Sequence, residues 1–142
     1  MILGLGTDII DIRRIEKILA NFGNRFIKRV FTYEERTRAE QYSKTSRDRA
    51  SIYAKRYAAK EACAKALGTG FCNGIFWHDL SIINLSTGAP MLSLTGVAKV
   101  LLTNLLPNGM KARIDLTMTD EYPMAVAIVI ISAEVFYKSN IK

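Results

Sequence analysis

Apolar residues recur along this chain with two periods, and the places where the period changes predict its elements. Ile2, Leu3 and Leu5, set among Gly4 and Gly6, read as a strand over Ile2–Thr7 that Asp8 closes. Its two glycines would let another backbone come close. From Ile12 the spacing turns helical: Ile12, Ile15, Ile18 and Leu19 form a stripe behind Asp11, a good N-cap, while Arg13, Arg14 and Lys17 face outward. Asn21 to Asn24 breaks this helix, and Arg25–Phe31 interleaves three cations with apolar residues. Thr32-Tyr33-Glu34-Glu35 has the form of a capping box, so a further helix is expected from Tyr33 to about Tyr42.

The longest helical stretch follows the polar break Lys44–Arg47. Ser46 or Asp48 would cap it, and it should end at Leu67, because Gly68 suits the left-handed conformation that stops a helix. At about 100° per residue, Ala58, Ala59, Ala62, Cys63, Ala66 and Leu67 share one small apolar arc, which is a packing face. Tyr57, Lys60, Glu61, Ala64 and Lys65 fall on the other arc. Glu61 and Lys65 stand in the favourable i, i+4 order of a solvated ion pair worth about 0.2–0.5 kcal/mol, and that ordinary reading accounts for them unaided.

Beyond the glycine-rich loop Gly68–Gly74, Leu80–Leu85 and Met91–Leu94 read as strands joined through Ser86–Pro90, and Thr95 can cap a helix over Gly96–Leu106. Ala112–Thr119 alternates, with Ile114, Leu116 and Met118 on one face. Met124–Ser132 is apolar on both faces and reads as a central strand. Helices come early and antiparallel strands late, so the expected class is α+β, an antiparallel sheet packed against a long helix, in a single domain spanning residues 1–142.

Composition changes the picture at two points. A chain that is 49% hydrophobic and 23% charged can bury a proper core, and a net charge of +7 with a pI near 9.6 implies an anionic partner. Nucleic acid, acidic lipid, a phosphorylated ligand and an acidic protein all qualify on charge. The most apolar run, Met124–Ser132, is about half the roughly 20 residues that a spanning helix needs, and the opening residues do not have the form of a signal peptide. A cytoplasmic protein with no membrane partner is the expectation. Cys63 and Cys72 match no metal-ligand spacing and read as reduced, structural residues, and the single histidine, His78, reads as a loop or packing residue.

The candidate chemistry lies in two carboxylates far apart in sequence. Asp8 and Glu61 each sit at the edge of a well-defined element, close to glycines and cations. If they converge, they supply the hard oxygen ligands that Mg²⁺ takes in ones and twos while keeping its other positions for water and substrate phosphates. Lys60 and Lys65 would then compensate phosphate charge. The loop Gly68-Thr69-Gly70 follows a helix, whereas phosphate-cradling P-loops precede one, so that motif is excluded. No Ser-His-Asp or Cys-His arrangement stands out, which leaves metal-assisted transfer as the reaction class that these residues suit.

Gly6-Thr7-Asp8-Ile9, then Arg56-Tyr57-Ala58-Ala59-Lys60-Glu61-Ala62, then Lys65-Ala66-Leu67-Gly68-Thr69-Gly70, in that order, closely resemble the holo-acyl-carrier-protein synthases, the small bacterial 4′-phosphopantetheinyl transferases. Arg29-Val30-Phe31-Thr32 with Glu35, the Gly88-Ala89-Pro90 turn and the strand pair around Thr117 to Ala127 extend the likeness to about residues 1–131. The resemblance implies the transferase fold and transfer of the phosphopantetheinyl group of coenzyme A to a serine of acyl carrier protein, releasing adenosine 3′,5′-bisphosphate, in fatty acid biosynthesis. It implies Mg²⁺ held by Asp8 and Glu61, with a coordinated water or a nearby carboxylate taking the serine proton. Lys60 and Lys65 become phosphate contacts, with Arg56 a weaker one, and Gly68, Thr69, Gly70 and Pro90 shape the coenzyme pocket. The family's acidic carrier proteins dock on a basic early helix, here the face of Arg14 with Arg25 nearby. A homotrimer with sites shared between protomers is implied too. Met118 stands where many members carry histidine, and Asp120 is a partial substitute. Two rival readings are a nucleic-acid-binding module, which has no recognised motif here, and a non-catalytic carrier-binding protein, which leaves Asp8 and Glu61 unexplained.

Overall fold

The computed structural model describes residues 1–136, and its element order is strand, four helices, a strand hairpin, one helix and a second strand pair. Strand β1 (Ile2–Asp11) leads into α1 (Ile12–Phe22), where Asp11 caps the helix by accepting from the Arg13 backbone N–H at 3.0 Å. The strand passes Asp8 because its ladder with a later strand continues to the very end of the turn, with Asp8 opposite Ala127 and Asp11 opposite Met124. Asp8 is therefore a residue within the strand and does not close it.

Gly23 (φ 47°) ends α1, and the segment Asn24–Val30, with its three cations interleaved among apolar residues, forms a second helix, α2. Thr32 and Glu35 complete the expected capping box of α3 (Tyr33–Tyr42). The long helix α4 (Ser46–Ala66) is capped by Thr45, one residue before Ser46 and three before Asp48, the expected positions. Asp48 closes a second capping box from inside the helix, donors and acceptors at 3.0 and 3.1 Å. After the loop come β2 (Leu80–Asn84) and β3 (Pro90–Leu94), a two-stranded hairpin, then α5 (Gly96–Leu105), β4 (Met110–Glu121) and β5 (Met124–Val135).

The main sheet has the order β1-β5-β4, antiparallel throughout, so the strand that is apolar on both faces is indeed the central one. Helix α4 lies on this sheet through its alanine arc: Ala58, Ala59, Ala62 and Cys63 are wholly buried. The contact is main chain against main chain. A Cβ added at Gly6 would overlap the Ala62 carbonyl oxygen, and one at Gly4 would overlap that of Ala66. Only glycine permits this approach. On its other side α4 meets an aromatic cluster in which Phe31 packs 4.7 Å from Tyr53 and 5.8 Å from Phe26, centroid to centroid. Cys72, unlike Cys63, is exposed and takes no part in the core. Among the described residues no helix is long and apolar enough to cross a membrane.

Candidate active site

The glycine contact sets the geometry around Asp8. Because Asp8 is two residues beyond Gly6 in β1, it points to the same side of the sheet, toward α4. There Lys65 reaches across from the helix: its Nζ donates to Asp8 Oδ1 and to the Thr7 carbonyl, both at 2.9 Å. Glu61 lies one turn earlier on the same helical face. Burial first, and then the charge of Asp8, raise the proton affinity of Glu61 above the usual carboxylate range, while Lys65 and a hydrogen bond from Tyr57 oppose that rise. Asp8 and Glu61 thus converge, as expected. Lys65 closes an ion pair with Asp8, between two elements, where the i, i+4 pair with Glu61 had been the ordinary expectation.

Lys60 requires a correction. Its side chain is fully buried, and its ammonium donates to the Val30 carbonyl at 2.7 Å and the Trp77 carbonyl at 3.0 Å while pairing with Glu35 Oε2 at 2.8 Å. All three of its protons are used within the fold, so it has none to offer a substrate phosphate. Around Lys60 the arc opposite the sheet is covered by the end of α2, by α3 and by the 3₁₀ turn Trp77–Asp79, while Tyr57 and Glu61 are half-buried and Lys65 is exposed. Burial pulls the Lys60 ammonium toward neutrality, and Glu35 holds it charged. Glu35, also fully buried, accepts from the Thr32 and Ile82 backbone N–H groups at 2.8 Å each. Its capping-box position was readable in the sequence; nothing in the residue pattern pointed to its partner Lys60 or to Ile82.

Arg56 is 4% exposed, with Nη2 donating to Asn84 Oδ1 at 3.0 Å and Nε buried without a partner. It lines a cavity of about 290 Å³ with Arg38, Lys55, Pro90 and Met118. Arg56 and Pro90 are thereby brought together, as expected of one pocket, while Arg38, Lys55 and Asn84 carried no sequence signal. Asp120 is engaged by Lys55 at 2.8 Å. Met118 pairs with Ala127, which pairs with Asp8, so all three lie in one row across the sheet. On α4, however, Lys55 and Arg56 point about 120–140° away from Glu61. The helix stands between the carboxylates and the Arg56 cavity.

Gly68 (φ 86°) and Gly70 (φ 56°) require the left-handed region, and an added Cβ at either would meet open space. The Gly68–Gly70 loop therefore presents bare backbone one turn beyond Lys65, with the Thr69 hydroxyl donating to the Gly70 carbonyl at 3.0 Å. Arg14 and Arg25 are both exposed and carry no ion pair among the described residues, whereas Arg13 is held by Asp11. Arg25 flanks a groove of about 410 Å³ floored by Ile18, Phe22 and Phe26. His78 Nε2 lies 2.8 Å from the Lys28 carbonyl, in keeping with a packing role.

Among the described residues no cluster of three or more histidine, cysteine, aspartate and glutamate side chains could hold a metal, so a cation here would rest on Asp8 and Glu61 alone. That donor set suits Mg²⁺, and the ammonium of Lys65 already stands against Asp8 as a cation.

Known proteins share this sequence and this fold. The model of the 4′-phosphopantetheinyl transferase superfamily matches residues 4–127. The holo-(acyl-carrier-protein) synthase of Granulibacter bethesdensis is 58% identical over 133 residues, covering 94% of this chain and 90% of its own. The crystal structure of the synthase from Neisseria meningitidis superposes with a TM-score of 0.75 at 32% identity, covering 93% of this chain and 99% of that one. The Bacillus anthracis synthase in complex with CoA (3′,5′-ADP) gives 0.73 at 30% identity, covering 92% and 96%. Fold and sequence likeness agree: the chain belongs to the 4′-phosphopantetheinyl transferase superfamily, in the group of the holo-(acyl-carrier-protein) synthases.

Proposed function

We propose that this enzyme transfers the 4′-phosphopantetheinyl group of coenzyme A to a serine of apo acyl carrier protein in a Mg²⁺-dependent reaction, in support of fatty acid biosynthesis in the cytoplasm. The observation that carries this reading is the convergence of Asp8, Glu61 and Lys65 on one face of the β1–α4 contact. The serine hydroxyl oxygen attacks the phosphorus that bears pantetheine, the bond from that phosphorus to the adenylate oxygen breaks, and adenosine 3′,5′-bisphosphate leaves while the serine gives up its proton. Asp8 and Glu61 would hold the metal, which when bound neutralises charge on the pyrophosphate and the departing phosphate. Lys65 is half exposed and long enough to follow a phosphate, and the bare backbone at Gly68–Gly70 leaves room for the coenzyme beside it. Arg56 brings a buried guanidinium to the Pro90 cavity.

Two further features support the shared-site assembly. The carboxylates and the Arg56 cavity of one protomer lie on different sides of α4, so one coenzyme molecule reaches both kinds of group most readily between two copies. The outer face of the sheet leaves Leu5 65% exposed, Ile9 61% and Ile128 39%, an apolar surface suited to burial in a homotrimer. An acidic carrier protein would dock by charge on Arg14 and Arg25 and by apolar contact in the Ile18–Phe22–Phe26 groove. The test is to combine the protein with apo acyl carrier protein, coenzyme A and Mg²⁺ and weigh the carrier by mass spectrometry. The phosphopantetheinyl mass should appear and should be abolished by EDTA; no addition, or addition that survives EDTA, overturns the reading.

A further inference from the structure

The ammonium of Lys65 stands directly against Asp8, one of the two carboxylates that would hold a metal. It bridges a carboxylate oxygen and a main-chain carbonyl of β1, each at 2.9 Å, and it does so in preference to Glu61, its neighbour on its own helix. The Asp8 side chain is only 18% exposed, so little of it remains free for a second cation. Lys65 itself is 51% exposed, unlike the fully buried Lys60, and can swing away without opening the core.

We infer that Lys65 is an internal counter-ion: it holds the cation position at Asp8 until coenzyme phosphate draws it off, so that metal and coenzyme enter the site together. This rests on the metal and coenzyme reading of the preceding section. Without Lys65, two carboxylates of like charge face each other; with it, the empty site carries one net negative charge and attracts a divalent ion weakly. A second cation beside the ammonium is repelled at a separation too short for salt to screen. A pyrophosphate offers Lys65 a stronger partner than a single carboxylate, and its departure frees Asp8 to act with Glu61. By linkage the coupling is reciprocal, so metal must tighten coenzyme binding by the factor by which coenzyme tightens metal binding.

The experiment titrates the intact protein with Mn²⁺, read by electron paramagnetic resonance of the free ion, with and without coenzyme A. The proteins are wild type, Lys65→Met and Lys99→Met, the last removing the same charge from an exposed position on α5. Lys65→Met should bind Mn²⁺ in the absence of coenzyme about tenfold more tightly than the other two, a step of roughly one decade being what the loss of one close like charge at a half-exposed site supplies. Wild type should bind it tightly only when coenzyme A is present. If wild type binds Mn²⁺ with coenzyme but Lys65→Met without coenzyme binds no better than Lys99→Met, the counter-ion role is overturned and the metal reading stands. If wild type binds no Mn²⁺ even with coenzyme, the metal reading itself falls, and this inference with it. Thermal melts of the three proteins confirm that each is folded during the titration.

Discussion

Replacing Lys60 by methionine separates a structural lysine from a phosphate-binding one. The substitution removes three donor contacts at 2.7, 2.8 and 3.0 Å and leaves a fully buried Glu35 carboxylate with only the two backbone N–H groups of Thr32 and Ile82. Breaking a buried ion pair from one side costs about 3–5 kcal/mol. That is a large share of the roughly 5–15 kcal/mol by which a domain is stable. With an m-value of about 2 kcal/mol per molar urea, the unfolding midpoint should fall by roughly 1.5–2.5 M. Removing both charges in a Glu35→Met, Lys60→Met double variant should recover part of the loss, since the uncompensated carboxylate goes with the pair, although the Thr32 and Ile82 N–H groups remain unpaired. Equilibrium urea unfolding followed by circular dichroism measures all of this. A Lys60→Met protein within about 1 kcal/mol of wild type (roughly a fivefold step in the folding equilibrium), with a raised KM for coenzyme A, would refute the structural role and restore the phosphate role.

Three other perturbations address the site directly. Gly6→Ala drives a methyl group into the Ala62 carbonyl and should cost at least the ~1–3 kcal/mol of an overpacked core, read by thermal melting, because the obstacle is main chain that has no rotamer to change. Glu61→Gln should abolish transfer and yet, in EDTA, melt above wild type at neutral pH. The folded-state pKa of Glu61 is raised, so its charged form destabilises the fold; that penalty sets in as pH rises past the unfolded carboxylate value near 4.3 and is complete above the folded one, so the melting difference should vanish in acid. Arg14→Glu with Arg25→Glu should lower kcat/KM for the carrier on the order of tenfold and flatten its salt dependence, with KM for coenzyme A unchanged.

Much of this arrangement was legible because periodicity and capping are local. The Thr32 box, the Asp11 cap, the alanine arc and the doubly apolar β5 each follow from residues within one or two turns, and they put Glu61 on the arc of α4 away from the alanines, whereas Asp8 lies inside β1 and does not end it. The misreadings involve what covers a surface. A helical wheel divides Lys60 from the alanines, but it carries no information on whether a second layer will lie over that arc, and here α2, α3 and the Trp77 turn do. Lys65 went to Asp8 because a strand approaches α4 closely enough to offer two acceptors, a consequence of glycines more than fifty positions away in the chain. The extension of β1 to Asp11 was hidden for the same reason: its ladder partner is at the far end of the sequence.

The double use of Glu35 has a consequence for cooperativity. One carboxylate closes the first turn of α3 and holds the Ile82 amide of β2, while its charge is balanced from α4. None of these elements can open alone without breaking the buried pair, which adds about 3–5 kcal/mol to any partial unfolding around this point and favours opening by the global route. The Thr32 and Ile82 amide protons should accordingly exchange with deuterium only through the global transition, at the slowest rate in the molecule and with the full denaturant dependence of unfolding. Exchange of either proton through a cheaper, denaturant-insensitive opening would show that the three elements are not locked together.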